Sequence, residues 1–155
     1  MKNTYGPHYT VKDGVLFIHG SDHWLEWLHH IAPFSKRREL KWALQILDEI
    51  NIDEISIIAG HSIGGTKAIM VAELSLGYYL GAIKLYTYGA KRPPRPFRGD
   101  KGTHYRVKGD IVPFLPPWRR MLNTIVLDRG KLGFMEAHEP REYGIRMSMD
   151  GVRGK

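Results

Sequence analysis

Apolar positions along this chain fall into two alternating patterns, short β-prone runs and stretches with three- and four-residue spacing. Tyr9-Thr10-Val11 and Val15-Leu16-Phe17-Ile18-His19 flank Lys12-Asp13-Gly14. Asp-Gly supplies the positive φ of a tight turn, so these runs predict a hairpin whose nearly all-apolar second strand lies inside a sheet. Trp24, Trp27, Leu28 and Ile31 then recur at helical spacing behind Ser21 and Asp22, either of which suits the N-cap. A second amphipathic pattern, Leu40, Ala43, Leu44, Leu47 and Ile50, predicts a helix that Asn51 ends. Ile55 to Ala59 is β-branched and passes through Gly60 into helix-forming residues that run to about Tyr79, with Gly64, Gly65, Ala68 and Ala72 as a small-residue face. Strands follow at Ile83–Tyr88, Thr103–Lys108 and Leu122–Asp128, with an edge strand at Tyr143–Met149. Between them, Lys91–Asp100 and Gly109–Trp118 each hold three prolines and read as loops. Strand–helix alternation calls for an α/β fold, a mostly parallel sheet of about six strands flanked by helices, with residues 1–155 as one domain.

The junction Gly60-His61-Ser62-Ile63-Gly64 carries the first chemical signal. G-x-S-x-G between a strand and a helix sets its serine on a strained turn, which the two glycines allow because a Cβ at either would strike the neighbouring strand or helix. Ser62 is thus the candidate nucleophile, and the peptide N–H of Ile63, at the positive end of the following helix, is suited to an oxyanion. A second oxyanion donor is expected at the C-terminal end of the other core strand, where His19-Gly20-Ser21-Asp22 turns; the backbone N–H of Ser21, with or without its hydroxyl, fits that role alongside plain helix capping. The stripe Trp24 and Trp27 reads as packing.

Composition narrows the chemistry. There is no cysteine, which removes disulfides, thiolate metal sites and a cysteine nucleophile. The eight histidines form no metal-binding pattern, and neither metal nor cofactor is expected. The first residues lack the apolar core of a signal peptide and no apolar run approaches membrane-spanning length, so a protein made soluble, without an export signal, is expected. Twenty-three Lys plus Arg against sixteen Asp plus Glu give a net charge of +7, which favours anionic surfaces such as phospholipid head groups; nucleic acid would share the attraction, but no nucleic-acid-binding signature accompanies it.

A serine hydroxyl needs a base, and the base an orienting acid. In strand–elbow–helix hydrolases acid and then base follow the nucleophile along the chain, which leaves His104 and His138 as bases. His104 falls inside a strand, whereas His138 lies in a Gly-containing loop with Asp110 and Asp128 upstream. Asp110 directly follows a strand and faces the same sheet edge as Ser62; Asp128 is the alternative acid. His19 and His61 border the elbow.

Five blocks, Phe17-Ile18-His19-Gly20-Ser21-Asp22-His23-Trp24-Leu25, Gly60-His61-Ser62-Ile63-Gly64-Gly65, Tyr86-Thr87-Tyr88-Gly89-Ala90, Tyr105 to Pro117 and Ala137-His138-Glu139, in this order resemble the signature blocks of the class 3 lipases, the fungal triacylglycerol lipase-like branch of the α/β-hydrolases. The resemblance implies a compact α/β-hydrolase with Ser62 as nucleophile, Asp110 as acid, His138 as base and Ser21 with Ile63 as oxyanion donors. It implies a serine carboxylic-ester hydrolase acting through an acyl-enzyme on lipid-like or small esters, with a phospholipase or acyltransferase as the alternative using the same residues. The chain departs from the pattern in its brevity, which leaves 22–37 as the one candidate lid, and in Lys91-Arg92-Pro93-Pro94, which replaces the family's usual Pro-Arg-Val-Gly. A basic binding module with a vestigial elbow is the non-enzymatic alternative.

Overall fold

The computed structural model describes residues 9–20, 35–79, 83–93, 97–98, 101–115, 123–128, 133 and 136–144. Strand β1, Tyr9–Lys12, pairs antiparallel with β2, Val15–Ile18, as the Asp-Gly turn predicts: Asp13 and Gly14 have φ of 51° and 74°. Gly14 O accepts from Ser56 N at 2.9 Å, which ties the hairpin to the start of β3, Ile57–His61. Beyond it lie β4, Lys84–Tyr88, β5, Gly102–Val107, and β6, Thr124–Leu127. The six strands lie side by side in chain order, and every pairing from β2 onward is parallel. One row of partners, Ile18, Gly60, Thr87, His104 and Thr124, crosses the sheet. The carboxyl ends of β3, β4 and β5 are therefore level, and the loops leaving them share one edge.

Among the described residues, one long helix packs on the sheet and a second packs on that helix. Helix α1, Ser35–Glu49, turns Ala43, Ile46 and Leu47 inward, with Ile50 packing just past its end, while Leu40 and Leu44 are 39% and 51% exposed. The buried stripe thus centres on Ala43 and Ile46, with Leu40 and Leu44 on its flank, a rotation from the expected face. The helix ends at Glu49, two residues before Asn51, whose φ is −85° and whose side chain accepts from Asp53 N, opening a 3-10 turn at Ile52–Glu54. Helix α2, Ser62–Tyr79, is apolar on most sides because it packs on α1 and the sheet at once: Ala68, Ile69 and Val71 have no exposure, and Ala72 is 3% exposed. Lys67 on α2 is nearly buried as well, its ammonium lying 4.0 Å from the centre of the Trp42 ring of α1.

Two expectations are corrected. Residues 140–144 are helical, so Tyr143 does not begin an edge strand; Pro140, preorganised for a first helical position, starts the turn, and burial of the Tyr143 ring keeps it there. Residues 145–149 lie outside the described residues. The loop after β4, which its prolines and basic residues mark as a surface segment, also contributes to the core. Phe97 is 4% exposed and lies over Gly102, where a Cβ would come within 2.5 Å of the ring.

Candidate active site

The turn from β3 into α2 is tight. Ser62 has φ of 56°, a left-handed conformation that costs a non-glycine residue about 1–2 kcal/mol. A Cβ on Gly60 would lie 2.6 Å from Gly64 O, and one on Gly64 would collide with the carbonyl oxygens of Ile18 and His19. The first turn of α2 therefore packs directly on β3 and on the end of β2, and only glycine permits that approach. Ile63 follows Ser62 in this first turn, where backbone N–H groups have no partner within the helix. Ser21 lies outside the described residues, as do most of the candidate lid and both Trp24 and Trp27. Gly20, next to it, is described: a Cβ there would stand 3.3 Å from Ser62 Cβ, so the end of β2 abuts the elbow.

Asp110 leaves β5 through Gly109, whose φ is 93°, and its side chain is wholly buried. A buried carboxylate needs donors, and this one has three. Oδ1 accepts from Val112 N at 2.9 Å, and Oδ2 accepts from Tyr143 OH at 2.5 Å and from His138 Nδ1 at 2.8 Å. The Tyr143 hydroxyl in turn accepts from Val107 N at 3.2 Å, and burial beside the Asp110 carboxylate holds its pKa well above the ordinary phenol value, so it remains a donor.

His138 closes a 3-10 turn, Glu136–His138, in which Glu136 Oε2 accepts from Gly133 N. Because a carboxylate only accepts, Nδ1 of His138 carries the proton; the neutral ring then presents a bare Nε2, 2.9 Å from Ser62 Oγ. The line Asp110, His138, Ser62 can draw the hydroxyl proton onto Nε2 while the carboxylate steadies the charge that appears on the ring.

Of the sequence candidates, Ser62, Asp110 and His138 meet here. Asp128 stands exposed past the end of β6, and the bond to His138 belongs to Asp110. His104 is buried in β5 with its Nδ1 2.7 Å from Thr87 Oγ1. Among the described residues no group of three or more His, Cys, Asp or Glu side chains could hold a metal, and no helix is long and apolar enough to cross a membrane. Two cations of the loop after β4 are engaged by the protein: Arg98 pairs with Glu73 at 2.8 Å, and Arg92 Nε donates to Pro113 O.

Sequence reasoning missed two site residues and left a third without a role. A Cβ on Gly89, at the end of β4, would fall 2.8 Å from Tyr143 OH, 2.9 Å from Asp110 Oδ2 and 3.1 Å from His138 Nδ1. Only a residue without one leaves room for that cluster, and the φ of 57° suits it. Tyr143 was hidden by the strand-like alternation that follows it. His61, 9% exposed, donates from Nε2 to the main-chain oxygen of His138 at 2.8 Å.

Burial holds both His61 and His104 down to about 4, with the neighbouring His138 adding to the effect on His61. Both are neutral in the fold, whereas an unfolded histidine takes up its proton near pH 6.5. Stability is therefore complete above about pH 6.5 and is lost as pH falls toward 4, by roughly 2 kcal/mol per histidine between pH 6.5 and 5. Melting temperatures recorded across that range should fall steadily; a flat profile from pH 7 to 5 would contradict the buried, neutral state of both rings.

No protein-family model and no curated protein sequence matches the chain. Among solved structures it is similar to a lipase from Rhizopus microsporus var. chinensis, at 17% identity and a TM-score of 0.43, over 68% of this chain and 48% of that one. The chain spans about half the length of that lipase.

Proposed function

We propose that this protein is a serine hydrolase of carboxylic esters. The observation that carries the reading is the unbroken hydrogen-bond line from the Ser62 hydroxyl through His138 to the buried Asp110, with Ser62 on a strained elbow at the start of a helix. Oγ attacks the ester carbonyl as its proton passes to His138 Nε2. Asp110 holds the ring in the tautomer that accepts that proton and balances the imidazolium that forms. The N–H of Ile63, with that of Ser21, stabilises the tetrahedral oxyanion; each such donor is worth roughly 10²–10³ in rate. The imidazolium then gives its proton to the departing alcohol. Water, deprotonated by the same ring, releases the acyl group and restores Ser62.

Lipid-like esters are the proposed substrates, on the strength of the five class 3 lipase-like blocks, and transfer of the acyl group to an alcohol in place of water would use the same residues. A short p-nitrophenyl ester tests the reading. Mixed with enzyme at high substrate, it should release a burst of about one nitrophenolate per chain before the steady rate, the mark of an accumulating acyl-enzyme. A chain that is folded and monodisperse yet releases nitrophenolate no faster than buffer would overturn the proposal.

A further inference from the structure

His61 is a buried titratable group that takes no part in the acyl-transfer steps. It precedes Ser62 on β3, its Nε2–H donates to the main-chain carbonyl of His138 at 2.8 Å, and its ring centre lies 4.9 Å from that of His138. Resting on the reading of Ser62, Asp110 and His138 given above, we propose that His61 is a positioning residue that fixes the backbone of His138 and so keeps its Nε2 aligned with the Ser62 hydroxyl.

The need for such a residue follows from where the base comes from. His138 is carried by a 3-10 turn of three residues, Glu136–His138, and not by a strand or a long helix. The bond from Nδ1 to Asp110 fixes one point of the ring and leaves it able to pivot about that point. A second anchor on the main-chain carbonyl fixes the Cα from which the ring is hung. His61 supplies that anchor from the strand end that also carries Ser62, so donor and acceptor of the proton transfer share one rigid frame. Small errors matter at this step: a misplacement of about 1 Å costs on the order of a hundredfold in rate.

The surroundings of His61 fit the same role. The Tyr143 ring meets it edge-on at 5.8 Å, and Gly20 leaves space beside its Nδ1, 3.4 Å from where a Cβ would lie. Since the His138 carbonyl can only accept, Nε2 of His61 holds the proton and Nδ1 is bare. Burial keeps the ring neutral. His61 thus backs the imidazolium that His138 becomes without placing a second positive charge against it.

The test compares His61→Phe, which keeps an aromatic ring and removes the donor, with His61→Gln, whose amide N–H can reach the same carbonyl. Both are assayed as the full chain on a soluble ester, with turnover divided by the number of serines that react with a phosphonate. His61→Phe should lower kcat by roughly ten- to a hundredfold at nearly unchanged KM, and His61→Gln should recover most of that loss. The downfield proton resonance of His138 Nδ1 should weaken in the Phe variant and return in the Gln variant. His61→Met, a second variant without a donor, should behave like His61→Phe and serves if the latter does not fold. A Phe or Met variant within about threefold of wild-type kcat, or a Gln variant as impaired as they are, would overturn the role of His61. Failure of the underlying reading is distinct: Ser62→Ala would then retain activity, whatever the His61 variants do.

Discussion

Ser62→Ala is expected to lower turnover of a short p-nitrophenyl ester by about 10⁶-fold, the loss measured when a comparable serine nucleophile is removed. No other described hydroxyl stands against a base held this way: the one at hydrogen-bond distance from His138 Nε2 is that of Ser62. The fold should survive, because the side chain removed is small and makes its bond at the site. Ser62→Gly should be as inactive and yet more stable than Ser62→Ala by about 1 kcal/mol, since a φ of 56° strains alanine and not glycine. Steady-state rates and melting curves of the two variants check both statements. Activity within tenfold of wild type in either variant would remove Ser62 from the reaction, and equal stabilities would remove the strain at the elbow.

Asp110→Asn should cost roughly 10³–10⁴ in kcat with little change in the amount of folded protein. An amide at that position offers N–H toward Nδ1 of His138, and the ring responds by moving its own proton to Nε2. Nε2 then donates to Ser62 and cannot take its proton. Val112 N keeps its acceptor in the variant, because the amide oxygen replaces Oδ1. Asp128→Asn, on an exposed position past β6, should leave the rate within about threefold of wild type. Paired assays of the two variants decide the matter, and a severe loss at Asp128 with a mild one at Asp110 would mean that the acid comes from the other strand end.

The choice between those two acids shows where the sequence stops being legible. Asp110 is favoured because it directly follows a strand, but Asp128 also stands at the end of a β-prone run, so the local pattern leaves both open. The difference lies in strand order: β5 adjoins β4, which adjoins β3, the strand that leads into Ser62, while β6 is one place further out. Features written in neighbouring residues were readable. The Asp-Gly hairpin turn is one, and the two glycines that let α2 close on β2 and β3 are another. Features that depend on distant partners were not. Gly89 matters because Tyr143, Asp110 and His138 converge on the space a Cβ would fill, and His61 matters because a carbonyl 77 residues away meets it. Phe97 sits among prolines and arginines, a composition that signals a loop, and enters the core all the same because Gly102 leaves room for its ring. Spacing gave helix α1 its amphipathic character over Leu40–Ile50 but not its first turn, Ser35–Arg38, which holds no apolar residue; the face it buries is set by the helix it packs on, which places Ala43 and Ile46 at the centre and leaves Leu44 half exposed.

If Ser62 is activated for acyl chemistry by His138 and Asp110 beside it, it should react covalently with an acyl-site probe. The most direct measurement is reaction with an active-site-directed fluorophosphonate, followed by mass analysis of the proteolysed chain. A single adduct per chain is expected, on the peptide carrying Ser62, formed rapidly in wild type and absent when His138 is replaced by alanine. Labelling that is absent in the folded wild-type chain, or that falls on a residue other than Ser62, would contradict it.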